Sequence, residues 1–220
     1  LGDDYINVLE GGYDIVFLCS PNNPTGGELS EQCLLEIVTR CKRLGILPVI
    51  DMSFADFSEN TVSANVLAEA GAAVIKAFTK IYAMPALRLG YMLCCDEDLL
   101  RKVSLAGQSW SVNSLAQAAG AAALDDSDFI GRTVEYISRE RRFLTEKFGA
   151  MGIKTYPAAA NFILLKSEHD LADIAMESGI ALRRCENFCG LDGSFFRTAV
   201  RSHEDNIELV MALERGLLNG

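Results

Sequence analysis

The sequence predicts an α/β protein: a mostly parallel sheet with helices, followed by a smaller α+β domain. Three observations predict it. Short apolar runs alternate with amphipathic stretches over 14–94, chemically distinctive residues fall where those runs end, and after Gly149 the pattern changes to short strands with fewer helices between them.

Each element has its own signal. Residues 14–19 form an apolar run ending in Ser20-Pro21-Asn22-Asn23-Pro24-Thr25-Gly26-Gly27, a strand followed by turn residues. Within 30–44, Cys33, Leu34, Ile37, Val38, Cys41 and Leu44 recur on one helical stripe, opened by Ser30 as N-cap and closed by Gly45. A strand at 46–50 runs into Asp51, a helical stretch at 62–70 follows, and a strand at 73–78 leads to Lys80. In an open parallel sheet the ligand sits beyond the carboxyl ends of the strands, which is where Asn23, Asp51 and Lys80 fall. Then come a strand at 89–94, helices at 96–106 and 114–124, and a long helix at 128–148 with Ser127 as its cap. The second domain reads as strand 161–166, helix 170–178, strands 180–184 and 195–200, and a final helix from 204 capped by Ser202. The division between domains is expected at 140/141, and no internal repeat or low-complexity segment appears.

Bulk properties narrow the function. The chain has 220 residues, half of them apolar, with a formal charge of −10. That length and composition support a well-buried core. The charge argues against nucleic acid or an anionic membrane as partner, since both would repel such a surface. The longest apolar runs are far short of the roughly 20 residues that a membrane-spanning helix needs. Seven cysteines lie on mostly apolar stretches without disulfide-like pairing, which fits a reducing cytoplasm. Cys185 and Cys189 lack a second pair, and His169 and His203 are isolated, so no metal site is expected. The chain opens on Leu1 without methionine or signal peptide and reads as though it starts in mid-protein.

A handful of residues stand where chemistry would need them. Lys80 offers an amine, although a lysine beside an apolar run is more often a snorkelling side chain. Asp51 follows Pro48-Val49-Ile50, a costly place for a carboxylate without a cationic partner, although a lone Asp there is commonly a cap. Asn23, in a Pro-rich turn, would ordinarily serve an Asx-turn. Arg88 presents a planar fork suited to phosphate, or else a surface ion pair. Arg197, inside Phe195-Phe196-Arg197-Thr198-Ala199-Val200, implies a buried anion such as a carboxylate.

In their order along the chain, Asn23-Pro24-Thr25-Gly26, Asp51, Phe78-Thr79-Lys80, Arg88-Leu89-Gly90-Tyr91 and Phe196-Arg197 resemble the class I/II aminotransferase family of pyridoxal phosphate fold type I. The resemblance covers essentially the whole chain. Within that family, Trp110-Ser111-Val112-Asn113-Ser114-Leu115-Ala116 and the stretch from Arg183 through Asp192 look most like the L-threonine-O-3-phosphate decarboxylases of cobalamin biosynthesis, with histidinol-phosphate aminotransferases next. The resemblance implies pyridoxal 5'-phosphate as cofactor, with Lys80 as the catalytic lysine that carries it. It places Asp51 on the pyridine nitrogen, Asn23 on the ring oxygen and the substrate, and Arg88 with the Thr79 hydroxyl on the cofactor phosphate. Arg197 would bind a substrate carboxylate and Arg183 a substrate phosphate. It further implies a small phosphorylated amino acid or amine as substrate, a decarboxylase or alternatively an aminotransferase, and a homodimer. The remaining alternative is a non-catalytic fragment. On this basis 1–140 would be the C-terminal portion of a cofactor-binding large domain and 141–220 a small domain.

Three departures matter. Phe54 stands where such enzymes usually have a tyrosine donating to the ring oxygen, which favours the decarboxylase branch. Ala77 replaces a serine that often supports the phosphate. The family's members are also substantially longer, and the part expected before Leu1 would cradle the phosphate and stack on the pyridine.

Overall fold

The computed structural model describes residues 8–60 and 62–219, so the opening at Leu1 lies outside the described residues. The chain divides into two compact units, one comprising 8–21 with 28–130 and the other 22–27 with 131–219.

The first unit is built on a four-stranded sheet in the order β1-β2-β3-β4. Strands β1 (Ile15–Cys19), β2 (Leu47–Asp51) and β3 (Ala73–Ala77) are parallel, and β4 (Gly90–Leu93) runs antiparallel to β3. The helix α1 (Glu31–Leu44) buries Leu34, Ile37, Val38 and Cys41 of its predicted stripe, while Cys33 is half-buried and Leu44, in the last turn, is exposed. Its ends are set as expected: the Ser30 hydroxyl accepts from the backbone N–H of Cys33, and Gly45 closes the helix at φ 72°. The short α2 (Ala64–Ala70) is capped by Ser63. Leu34, Val38, Ile50, Met52, Leu67 and Val74 form the core between these helices and the sheet. A one-turn helix, α3 (Phe78–Ile81), follows β3 directly. Helices α4 (Glu97–Ala106) and α5 (Ser114–Asp125) complete the unit, and in α5 the absence of a side chain at Gly120 lets Leu89 pack closely.

The long helix α6 (Phe129–Ala150) carries the chain into the second unit. There β5 (Lys154–Thr155), β6 (Phe162–Lys166), β7 (Arg183–Arg184) and β8 (Phe195–Ala199) form an antiparallel sheet in the order β5-β6-β8-β7. Helices α7 (Leu171–Met176) and α8 (His203–Asn219) belong to the same unit. Phe162, Ile163, Leu164 and Leu165 are all buried, so β6 is covered on both faces.

Several boundaries differ from the sequence expectation. The strand expected at 180–184 shrinks to Arg183–Arg184 because the Ile180 N–H is spent on the Ala175 carbonyl at the end of α7. The strand expected to reach 78 stops at Ala77, where Phe78 begins a helical turn. The edge strand β5 was not foreseen, since two residues carry no alternation. No helix among the described residues is long and apolar enough to cross a membrane, and no cluster of metal-ligating side chains occurs among them.

Candidate active site

In the first unit, Asp51 is the last residue of β2 and Lys80 stands on the turn that leaves β3, so both lie at the carboxyl edge of the parallel strands. Asp51 is half-buried. One of its oxygens accepts from the Ser53 N–H at 2.9 Å and the Ser53 hydroxyl at 2.5 Å, and no described cation pairs with it. Such a carboxylate is costly unless a cation arrives from elsewhere. Lys80 places its ammonium 5.4 Å from the centroid of the Phe54 ring. Lys80 is exposed, because a one-turn helix at the carboxyl end of a strand offers little to cover it. Thr79, beside it, is half-buried.

Arg88 is exposed and donates to the Pro85 carbonyl at 2.9 Å. It sits in the left-handed region at φ 56°, and the Leu89 carbonyl just after it accepts from the Phe78 N–H at 3.1 Å. That bond brings the Arg88 backbone to the start of the Lys80 turn. A different lysine, Lys76, is held by Asp56 at 2.5 Å, with both side chains largely buried.

The second unit carries the other set. The turn bearing Asn23 is seated there by reciprocal bonds between Asn22 and the Gly26-Gly27 end, and by the Ala159 N–H donating to the Gly26 carbonyl at 2.8 Å. Gly26 is required at this point: its φ is +74°, and a Cβ would come within 2.6 Å of the Ala158 Cβ. The Asn23 carboxamide oxygen accepts from the Arg197 guanidinium, which leaves its NH₂ free to donate. Arg183 and Arg197 are cross-strand partners on β7 and β8. Like charges so placed destabilise a strand pair. Neither arginine pairs with a carboxylate among the described residues, whereas the adjacent Arg184 pairs with both Asp170 and Asp173.

Burial pushes the half-buried Arg197 guanidinium down from its ordinary value, and the charge of Arg183 pushes the same way. It stays protonated regardless. Beside these cations, Cys185 is fully buried; burial pushes its thiol up, against the opposing pull of Arg197 and Arg183. The geometry therefore offers two guanidinium forks with spare donors and no internal counter-ion, a receptor for anions.

The structure thus gathers Asp51, Thr79, Lys80 and Arg88 in one unit and Asn23, Arg183 and Arg197 in the other. Sequence reasoning overlooked Ser53, which fixes the Asp51 carboxylate, and Asn187, whose carboxamide accepts from Arg183 at 3.0 Å. Strand alternation was the one available signal that Arg183 and Arg184 serve opposite faces.

A lysine at a sheet edge, an unpaired carboxylate on the neighbouring strand and an arginine at the same turn suit pyridoxal 5'-phosphate. The fold is that of the pyridoxal phosphate fold type I class. More specifically, the chain belongs to the family described as aminotransferase class I and II, whose model matches residues 3–213. It is similar to the threonine-phosphate decarboxylase of Salmonella typhimurium, at 36% identity over all of this chain and 62% of the relative. It is similar also to the histidinol-phosphate aminotransferase of Methanosarcina mazei, at 33% identity over 91% of this chain and 54% of the relative. Among solved structures, the histidinol-phosphate aminotransferase of Clostridium acetobutylicum superposes with a TM-score of 0.93 at 28% identity, covering 100% of this chain and 68% of that one. The L-threonine-O-3-phosphate decarboxylase of Porphyromonas gingivalis gives 0.81 at 26% identity, over 93% and 65%. The chain therefore spans about three-fifths of the length of the curated relatives it matches.

Proposed function

We propose that the protein is a pyridoxal phosphate enzyme acting on a phosphorylated amino acid, most closely a threonine-phosphate decarboxylase. The observation that carries this reading is the pair of cross-strand arginines without internal counter-ions, which suits a substrate with two anionic ends. In this reading Lys80 is the catalytic amine that carries the cofactor and moves a proton at the substrate α-carbon. Asp51 holds the proton on the pyridine nitrogen, Asn23 donates its free NH₂ to the ring oxygen, and Arg88 and Thr79 hold the cofactor phosphate. Bound pyridoxal phosphate supplies an electron sink for the pair left when a bond at the α-carbon breaks. Arg197 takes the carboxylate and Arg183 the phosphate, so that the two ends fix which bond is presented. Residues 1–140 are assigned to a cofactor-binding domain and 141–220 to a small domain, in a cytoplasmic homodimer serving cobalamin biosynthesis.

A histidinol-phosphate type aminotransferase is the second reading, supported by the backbone likeness at a TM-score of 0.93. Phe54 favours the first, because it lacks the hydroxyl expected of an aminotransferase. The test uses the full-length protein with its cofactor. Release of carbon dioxide from threonine phosphate is expected; transfer of its amino group to a 2-oxo acid without that release would favour the second reading. Arg197→Ala should impair every α-amino acid substrate, at a cost of about 2 to 5 kcal/mol in binding, as for other buried charged contacts. Arg183→Ala should impair phosphorylated substrates selectively.

A further inference from the structure

The strand that bears Arg183 is two residues long, lies at the edge of its sheet and bonds only to β8. So short an edge strand has few ladder bonds to fix its register. It also carries a cation directly opposite another, which pushes the two strands apart.

Besides the Cys185 N–H, which donates to the Phe195 carbonyl of β8 at 3.0 Å, the side chain of Arg184 restrains it. Arg184 Nη1 donates to Asp170 Oδ2 and Nη2 to Asp173 Oδ1, each at 2.6 Å, and its guanidinium lies 5.9 Å from the Phe196 ring centroid. Asp170 is itself fixed as the N-cap of α7, accepting from the backbone N–H groups of Ala172 and Asp173 at 3.1 Å. Exposed ion pairs usually contribute little. Here one planar fork bridges two carboxylates, one of them already held in place, and such geometry is directional. Because side chains alternate along a strand, drawing Arg184 to α7 turns Arg183 to the opposite face.

We propose that Arg184, Asp170 and Asp173 form a positioning clamp that holds β7 in the register setting Arg183 opposite Arg197, and so determines the spacing between the two anion-binding cations. The proposal rests on the reading of Arg183 as the contact for the substrate phosphate. The clamp residues touch no substrate; they act through Arg183.

The experiment uses the full-length protein with its cofactor and compares O-phospho-L-threonine with L-threonine. The double variant Asp170→Asn/Asp173→Asn removes both charges, while asparagine keeps the helix cap. KM for phosphothreonine is expected to rise about tenfold with kcat nearly unchanged, and KM for threonine to stay put. A merely structural role would lower the melting temperature and weaken both substrates alike, which would overturn the clamp. Arg184→Lys, whose ammonium is a point charge rather than a fork, carries the same test should the double variant fold poorly; it is expected to fall between. Asp173→Glu, which keeps the charge, should retain the preference. If the preference for phosphothreonine survives the double variant within about twofold while Arg183→Ala abolishes it, the clamp proposal is wrong. If Arg183→Ala leaves the preference intact, the reading of Arg183 itself fails.

Discussion

Asp51 and Lys80 show how a single residue acquires its chemistry from its place at the end of a strand. Asp51 continues a strand of buried neighbours, so its carboxylate arrives half-desolvated, and Ser53 occupies one oxygen while no described cation neutralises it. Lys80 and Lys76 lie four residues apart, yet only Lys76 is committed to a carboxylate, that of Asp56. The amine of Lys80 faces the Phe54 ring instead. Lys80→Ala in the full-length protein is therefore expected to reduce turnover by several orders of magnitude, as loss of a positioned covalent catalyst does. Borohydride reduction followed by peptide mapping checks the assignment: the pyridoxyl label should sit on Lys80, and a label on Lys76 would refute it. The identities of these residues were legible in the sequence, but the bond from Ser53 and the partner of Lys76 were not, because both depend on which way a turn folds back.

At the scale of elements, α6 and α8 meet through a buried polar cluster. Glu140, 2% exposed, accepts from the Asn206 carboxamide at 3.1 Å and contacts the His203 ring at 2.9 Å, while the backbone N–H of His203 donates to the Tyr136 hydroxyl at 2.9 Å. Burial alone would push the Glu140 carboxyl up; the hydrogen bonds from His203, Asn206 and Arg139 outweigh it and hold the carboxyl below its ordinary value. A lowered folded-state value contributes stability that is whole above the unfolded value, near 4.3, and is lost as pH falls through the folded one. Thermal melts of Glu140→Gln should show a loss of about 1 to 3 kcal/mol at neutral pH. The gap from the parent should narrow below about pH 4; a gap independent of pH would show that the charge of Glu140 does not matter. Both helices were legible from their periodicity and caps. Their pairing through Glu140 was not, since a glutamate in a helix of alternating charges looks solvated until a second element covers it.

For the whole molecule, the proposed reading assigns few of the described residues to a cofactor phosphate: Arg88, already bonded to Pro85, and the Thr79 hydroxyl. A phosphate dianion is retained by several charge-assisted bonds worth roughly 1.5 to 3 kcal/mol each, so the 220-residue chain expressed alone should bind pyridoxal phosphate weakly. The expected outcome is a visible absorbance band that depends on Lys80 and disappears on extensive dialysis; a stoichiometric band that persists would show that these residues suffice. The sequence by itself determined the family, the α/β order of elements and the candidate site residues, because apolar period, caps and short motifs are local properties of a chain. Only the tertiary structure decided that Arg183 faces Arg197 while Arg184 turns to Asp170 and Asp173, that Asn23 spends its carboxamide oxygen on an arginine far along the chain, and that Lys80 stands exposed. Each of those outcomes depends on strand register and on which face another element covers, and such pairings between distant segments are set by packing rather than by any pattern along the chain.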